Sequence, residues 1–228
     1  MSLFESTLNT RDLGGKLTKS GLITIYNRIF RSDYINNLAS NQHDINFLIK
    51  NKINTIIDLR SNKELENSKN DYVHLNNFKY YNFPIEEGSQ IPKNISDVPK
   101  SYMEIACSKK IKNILETIAN QENGVVFFCS AGKDRIGVLT TIIFMICEVF
   151  ENEIVKDYMI SKENLKYKLE KIANEKPNID INVITPHESY ILNFIKMFKE
   201  KFGDINTYLD NIGISDNDRN KIKNKLLI

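Results

Sequence analysis

In the first 130 residues apolar positions come in short runs broken by Gly and Pro, and beyond about residue 135 they recur at helical spacing. That pattern predicts strands interleaved with helices, followed by helices alone. Ile53 to Leu59 is a mostly apolar run ending in Asp58-Leu59-Arg60, which predicts a buried strand. Lys79 to Phe83 predicts a second strand stopped by Pro84, and Gly124 to Phe128 a further buried one. Asn9 to Gly15 ends in a Gly-Gly pair ahead of Gly21. It predicts tight turns leading into a short edge hairpin, Leu22 to Tyr26 with Arg28 to Phe30. Ser40 is placed to cap a helix through about Lys50. Residues 86 to 100 carry Gly88, Pro92 and Pro99 among polar neighbours and read as the longest loop, just upstream of the most informative segment.

Ile111, Ile114, Leu115 and Ile118 share one helical face, and that helix ends before Gly124. Arg135 to about Phe150 predicts an apolar helix. A charged helix then runs to about Lys176, with breaks at Pro177 and Pro186. Ile191, Phe194, Ile195, Phe198 and Phe202 predict one more long helix, and two short ones follow Gly203 and Ser215. The expectation is a single domain over residues 1–228, an α/β core over 1–150 with a helical C-terminal extension over 151–228 that is a candidate lid.

Composition narrows the class. Hydrophobic residues make up 41% and charged residues 26% of 228, as in a chain that folds around its own core. The 31 basic and 29 acidic residues are interspersed, so no global field argues for nucleic acid or membrane, and attraction for an anion must be local. Three cysteines without short paired spacing argue against a disulfide framework or a zinc site and for a reducing compartment. No basic-then-apolar leader opens the chain, and the longest apolar run, Ile136 to Cys147, is too short to span a bilayer. The expected location is cytoplasmic, with export by a route lacking a signal left open.

The chemistry concentrates in Val125-Val126-Phe127-Phe128-Cys129-Ser130-Ala131-Gly132-Lys133-Asp134-Arg135-Ile136-Gly137. A cysteine and an arginine six positions apart join a buried strand to a helix. Loop and first-turn amides there lack intrahelical partners and, with the helix dipole, hold a phosphate dianion. Gly132 lets the backbone curl, and Arg135 can grip two phosphate oxygens in a fork. The same field favours the thiolate of Cys129, the form that attacks phosphorus. The expected reaction has two steps, formation of a phosphocysteine and its hydrolysis by water. The expected phosphate-binding set is Ser130, Ala131, Gly132, Lys133 and Arg135. The other two cysteines lack such a setting: six positions on lie Asn113 and Glu153.

With these residues the sequence resembles the protein tyrosine phosphatase superfamily, specifically the bacterial group with a Cys-x-x-Gly-Lys-Asp-Arg loop. Similar features extend to Asn9-Thr10-Arg11-Asp12-Leu13-Gly14-Gly15, Phe30-Arg31-Ser32, Ile57-Asp58-Leu59-Arg60-Ser61 with Glu64, Asp157-Tyr158, and the stretches around Phe202-Gly203, Tyr208-Leu209 and Ile212-Gly213. The resemblance implies a cysteine-phosphatase fold with a central mixed sheet flanked by helices and no metal or other cofactor. It also implies action on phosphotyrosine, with phosphoserine, phosphothreonine and phosphoinositide monoesters as further candidates, so the partner is a phosphorylated protein or a phosphoinositide. It assigns Asp134 as general acid. Asp134 lies beside the phosphate site, where a carboxyl facing a dianion can carry a proton, although a salt bridge or helix cap is an equal reading of it. Asp97, in the loop before the motif, is the alternative general acid, because a loop can close over substrate. Lys133 suits a second phosphate or a plain solvated position, while Arg11, Arg31 and Arg60 read as braces.

Two positions depart from the resemblance. Most relatives have His before the cysteine and Ser or Thr after the arginine, where this chain has Phe128 and Ile136. Both changes remove polarity near the sulfur, which predicts slow breakdown of the phosphoenzyme. They also keep open a catalytically weak phosphate-reading module. Rhodanese-like sulfur transfer also places a cysteine before a helix, but Lys133-Asp134-Arg135 and the N-terminal similarities favour phosphorus. A P-loop nucleotide hydrolase is excluded because Asp134 stands where Ser or Thr must bind magnesium.

Overall fold

A computed structural model describes residues 2–35, 37–68 and 74–227. Five strands form one sheet: β1 (Arg11–Asp12), β2 (Ile29–Ser32), β3 (Ile53–Asp58), β4 (Lys79–Asn82) and β5 (Gly124–Phe128), in the order β1-β2-β5-β3-β4. Only the β1–β2 pair is antiparallel; β2, β5, β3 and β4 run parallel. The sheet is therefore mixed, as expected, with β5 at its centre and all five β5 residues buried. In parallel register Ser32 and Asp58 both stand beside Phe128, so the carboxyl ends of three strands converge immediately before Cys129. That edge is where open α/β sheets place ligands.

Helices cover both faces. Side chains alternate along a strand, and here the alternation divides the core. Phe30, Ile56, Val126 and Phe128 pack with Phe4 and Leu48, the latter from α1 (Gln42–Lys50). Ile29, Ile57, Val125 and Phe127 pack on the other side with α3 (Val98–Ala106), α4 (Lys110–Asn120) and α5 (Asp134–Ile146). The remaining helices extend this second layer: α6 (Glu151–Glu175), α7 (Ile181–Ile184), α8 (Glu188–Phe202), α9 (Ile205–Ile212) and α10 (Asp216–Leu227). Among the described residues no helix is long and apolar enough to cross a membrane.

Several local expectations need correction. The hairpin forms one segment earlier than predicted: Leu17 pairs with Ile23, and Gly21 bonds back to Thr18, closing the turn. Residues from Ile29 instead enter the sheet as β2, an inner strand between β1 and β5. The Gly14-Gly15 pair serves close approach as well as turning, for a Cβ on Gly15, at φ +78°, would stand 2.0 Å from the Tyr26 hydroxyl. Asn41 rather than Ser40 caps α1, accepting from the Asp44 N–H at 3.0 Å. The predicted loop 86–100 ends in the first turn of α3, where Pro99 sits without cost because first-turn amides have no intrahelical acceptor. The short helix α2 (Asn62–Glu66) and the short α7 were not predicted, although Ser61 and Glu64 form a full capping box at the start of α2.

Candidate active site

Cys129 follows directly on β5, is 3% exposed, and lines a cavity of about 220 Å³ together with Ser130, Ala131, Lys133, Asp134 and Arg135. Its sulfur accepts the Gly132 N–H at 3.3 Å. The loop between strand and helix is turned by donors behind it. The Lys168 ammonium on α6 reaches the Ser130 carbonyl at 3.3 Å. The Asn9 amide reaches the Ala131 and Gly132 carbonyls at 3.2 and 3.1 Å, and Arg31 Nη2 reaches the Gly132 carbonyl at 2.8 Å. In a trans peptide the C=O and the following N–H point opposite ways. Three carbonyls held outward therefore direct the Ala131, Gly132 and Lys133 amides inward, and the first-turn amides of α5 add to them. Gly132, at φ +66°, is obligatory: a Cβ there would lie 2.6 Å from the Ser32 and Asp33 backbone.

Behind the loop, Asp157 on α6 ties the braces together. Its carboxylate accepts from Arg11 Nε at 2.9 Å and Arg31 Nη1 at 2.5 Å. Burial pushes that carboxyl up, but Arg11 and Arg31 outweigh it and hold it down at about 2. Arg60 is a brace of the same kind, bound to Asp58 at 2.7 Å with its guanidinium over the Tyr34 ring.

Glu64 carries a role that the sequence reading did not assign. Its two oxygens accept from Nη1 and Nη2 of Arg135, each at 2.7 Å, and one also accepts from the Ser130 hydroxyl. Burial opposes the charge, yet the Arg135 hydrogen bonds and charge lower Glu64 to about 2. Arg135 in turn, despite its burial, is raised above the usual guanidinium range by Glu64. The signal was present in Ser61-x-x-Glu64, but as a helix-start pattern rather than an arginine clamp.

Asp134 opens α5 and faces the cavity. Its carboxylate takes the Lys133 ammonium at 2.7 and 2.8 Å and the Tyr102 hydroxyl at 2.7 Å. Tyr102 remains a phenol at any ordinary pH, because burial and the neighbouring Asp134 and Tyr158 raise it far above the usual tyrosine range. Asp97 is not among the lining residues; its carboxylate binds Lys100 at 2.9 Å and Asn94 at 3.0 Å on the outer surface of α3. The cavity lining also includes apolar Ile91 and Pro92, together with Leu169, Ile172, Val183 and Ile184 from α6 and α7. Phe128 and Ile136 are fully buried, one on each side of the sheet.

A tyrosine-protein phosphatase of Nostoc commune is 25% identical over 191 residues, which is 75% of this chain and 65% of that protein. The chain thus spans less than two thirds of that relative's length. The solved structure of the Siw14 catalytic core superposes with a TM-score of 0.39 at 17% identity, over 66% of this chain and 88% of that one. The family pattern described as the tyrosine phosphatase family matches residues 3–228, nearly the whole chain with the cysteine loop inside it, and the chain belongs to that family.

Proposed function

We propose that the protein hydrolyses phosphate monoesters through a phosphocysteine at Cys129, with phosphotyrosine-type aryl phosphates as the preferred class. One observation carries this reading: three loop carbonyls held outward by Lys168, Asn9 and Arg31 leave their amides converging on the cavity floor beside the Cys129 sulfur. A phosphate seated there meets N–H dipoles at its oxygens and sulfur at phosphorus. The Arg135 contacts with Glu64 engage one edge of the guanidinium, so Nε–H and the second Nη2 hydrogen form the fork for two phosphate oxygens.

In the first step the Cys129 thiolate attacks phosphorus, the bond to the leaving oxygen breaks, and that oxygen takes a proton from Asp134. Water then attacks the phosphocysteine, giving its proton to Asp134 as the P–S bond breaks and thiolate returns. Asp134 in the resting arrangement is held by the Lys133 ammonium and the Tyr102 hydroxyl, and a bound phosphate competes for that ammonium. The apolar residues Ile91, Pro92, Leu169 and Ile172 suit an aryl ring better than a polyhydroxylated inositol. Phosphoserine, phosphothreonine and phosphoinositide monoesters are the comparison substrates.

A specific observation favours a second reading, phosphate recognition with little turnover. Ile136 is buried where a hydroxyl would assist the leaving thiolate, and among the described residues the hydrogen bond reaching that sulfur is the one from Gly132. Single-turnover mixing with p-nitrophenyl phosphate separates the two readings. Vanadate-sensitive nitrophenol release that disappears in Cys129→Ser supports hydrolysis, and retention of phosphotyrosine without release supports the reader.

A further inference from the structure

Residues 15–24 form a small antiparallel ribbon whose polarity is inside out. Leu17 pairs with Ile23, and the Thr18 and Thr24 amides donate to the Leu22 and Lys16 carbonyls, each at 2.9 Å. Side chains on such a ribbon alternate between its faces. The inward face carries Thr18 and Thr24, both buried, and the outward face carries Leu17 at 44% and Ile23 at 60% exposure. Phe150 extends this exposed surface, its N–H bonding the Leu17 carbonyl at 3.1 Å, and Leu22 is exposed beside the turn.

The inversion is fixed by hydrogen bonds. Thr18 Oγ1 donates to the Leu22 carbonyl at 2.9 Å. Thr24 Oγ1 donates to the Leu13 carbonyl at 2.8 Å and accepts the Lys16 N–H at 2.9 Å. A slip of one residue would turn the aliphatic side chains inward but would turn the threonines outward and break these hydrogen bonds, including the one to the Leu13 carbonyl. The outward apolar face is therefore a built feature of the fold.

Its surroundings are basic. Residues 13–32 contain no Asp or Glu, the longest such stretch in the chain, and include Lys16, Lys19 and Arg28. Of the neighbouring acids, Glu148 is bound to Lys223 at 3.0 Å and Glu151 to Lys199 at 2.7 Å, while Glu122 near Arg28 is accompanied by Lys221 and Lys225. An apolar tip in a basic surround matches a bilayer surface with anionic headgroups, where aliphatic side chains enter the interface and cations meet the headgroup charge.

We propose that this ribbon docks the protein on an anionic lipid surface, with Leu17 and Ile23 inserted and Lys19 and Arg28 paired to headgroups. The ribbon adjoins Val149, just past the end of α5, whereas Cys129 lies before the start of that helix. The 13 residues of α5 separate the two by about 20 Å, so a docked molecule opens its cavity away from the bilayer, toward substrates in solution. Docking does not depend on the catalytic reading.

The test is co-sedimentation with phosphatidylcholine vesicles prepared with and without phosphatidylserine. Binding should require the anionic lipid and weaken with salt. Ile23→Asp should reduce partitioning by about tenfold or more, and Lys19→Glu by less, with thermal unfolding unchanged in both. Equal partitioning of wild type and Ile23→Asp overturns the proposal, as does binding to neither vesicle. So does a wild-type dimer that Ile23→Asp converts to monomer, for that assigns the ribbon to an interface between copies of the chain.

Discussion

Replacing Asp157 by Asn tests the link between the helical layer and the loop that follows Cys129. The wild-type carboxylate is fully buried between Arg11 and Arg31, and Asn keeps the shape while removing the charge that the two guanidiniums share. Burial and the Arg11 charge already lower Arg31 to about 10, even with Asp157 present, so the pair of cations tolerates no loss of counter-charge. Removing one partner from a buried ion pair costs about 3–5 kcal/mol, and the retained amide oxygen places the expected loss near ~3 kcal/mol. Linkage gives an independent figure. The Asp157 carboxyl falls from 3.8 to about 2 on folding. That depression contributes ~2 kcal/mol of stability, fully present above about pH 4 and lost as pH falls through about 2. Urea unfolding between pH 7 and pH 2.5 should therefore show a wide gap between wild type and Asp157→Asn at neutral pH that narrows with acidification. Because Arg31 also holds the Gly132 carbonyl at 2.8 Å, vanadate affinity should fall in the variant. A variant within about 1 kcal/mol of wild type at pH 7 would refute the reasoning, as would a gap independent of pH.

Arg135→Lys should lower kcat/KM toward p-nitrophenyl phosphate by about two to three orders of magnitude, since an ammonium cannot hold both Glu64 oxygens and a phosphate edge at once. Ile136→Thr should speed the second step, read as a higher steady-state rate with an unchanged burst; the buried methyl loss and added hydroxyl should cost about 1–2 kcal/mol in urea unfolding. Gly132→Ala places a Cβ 2.6 Å from the Ser32 and Asp33 backbone at φ +66°. It should raise the vanadate Kd by at least about tenfold, measured by inhibition, and an unchanged Kd would contradict the inward-amide geometry.

The strands and long helices were legible because burial imposes a period on the sequence. Gly124 to Phe128 reads as an uninterrupted apolar run because both of its faces are covered, and the structure buries all five residues. Ile29 to Ser32 was misread as part of an edge hairpin. Its place between β1 and β5 depends on pairing with residues almost a hundred positions away, which local alternation does not encode. The ribbon at 15–24 escaped for a different reason: its inward residues are threonines, so no apolar alternation marks its buried face. Pro99 likewise suggested a loop because proline breaks helix interiors, whereas in a first turn it is neutral.

The cysteine loop stood out in the sequence because its pattern is local: a cysteine, a glycine, a lysine and an arginine within seven residues. What gives that loop its shape is dispersed. Its outward carbonyls are held by Asn9, Arg31 and Lys168, and its arginine by Glu64, residues contributed by the N-terminal segment, β2, α6 and α2. Each is an ordinary polar residue in its own segment, and none has a spacing relative to Cys129 that sequence periodicity could reveal. An anion site built from backbone amides depends on peptide orientation, and orientation here is imposed from outside the loop. Substitutions far from residues 129–135 should therefore weaken phosphate binding as much as those within it, and a loop transplanted without Asn9, Arg31 and Lys168 should bind vanadate poorly even with its own seven residues intact.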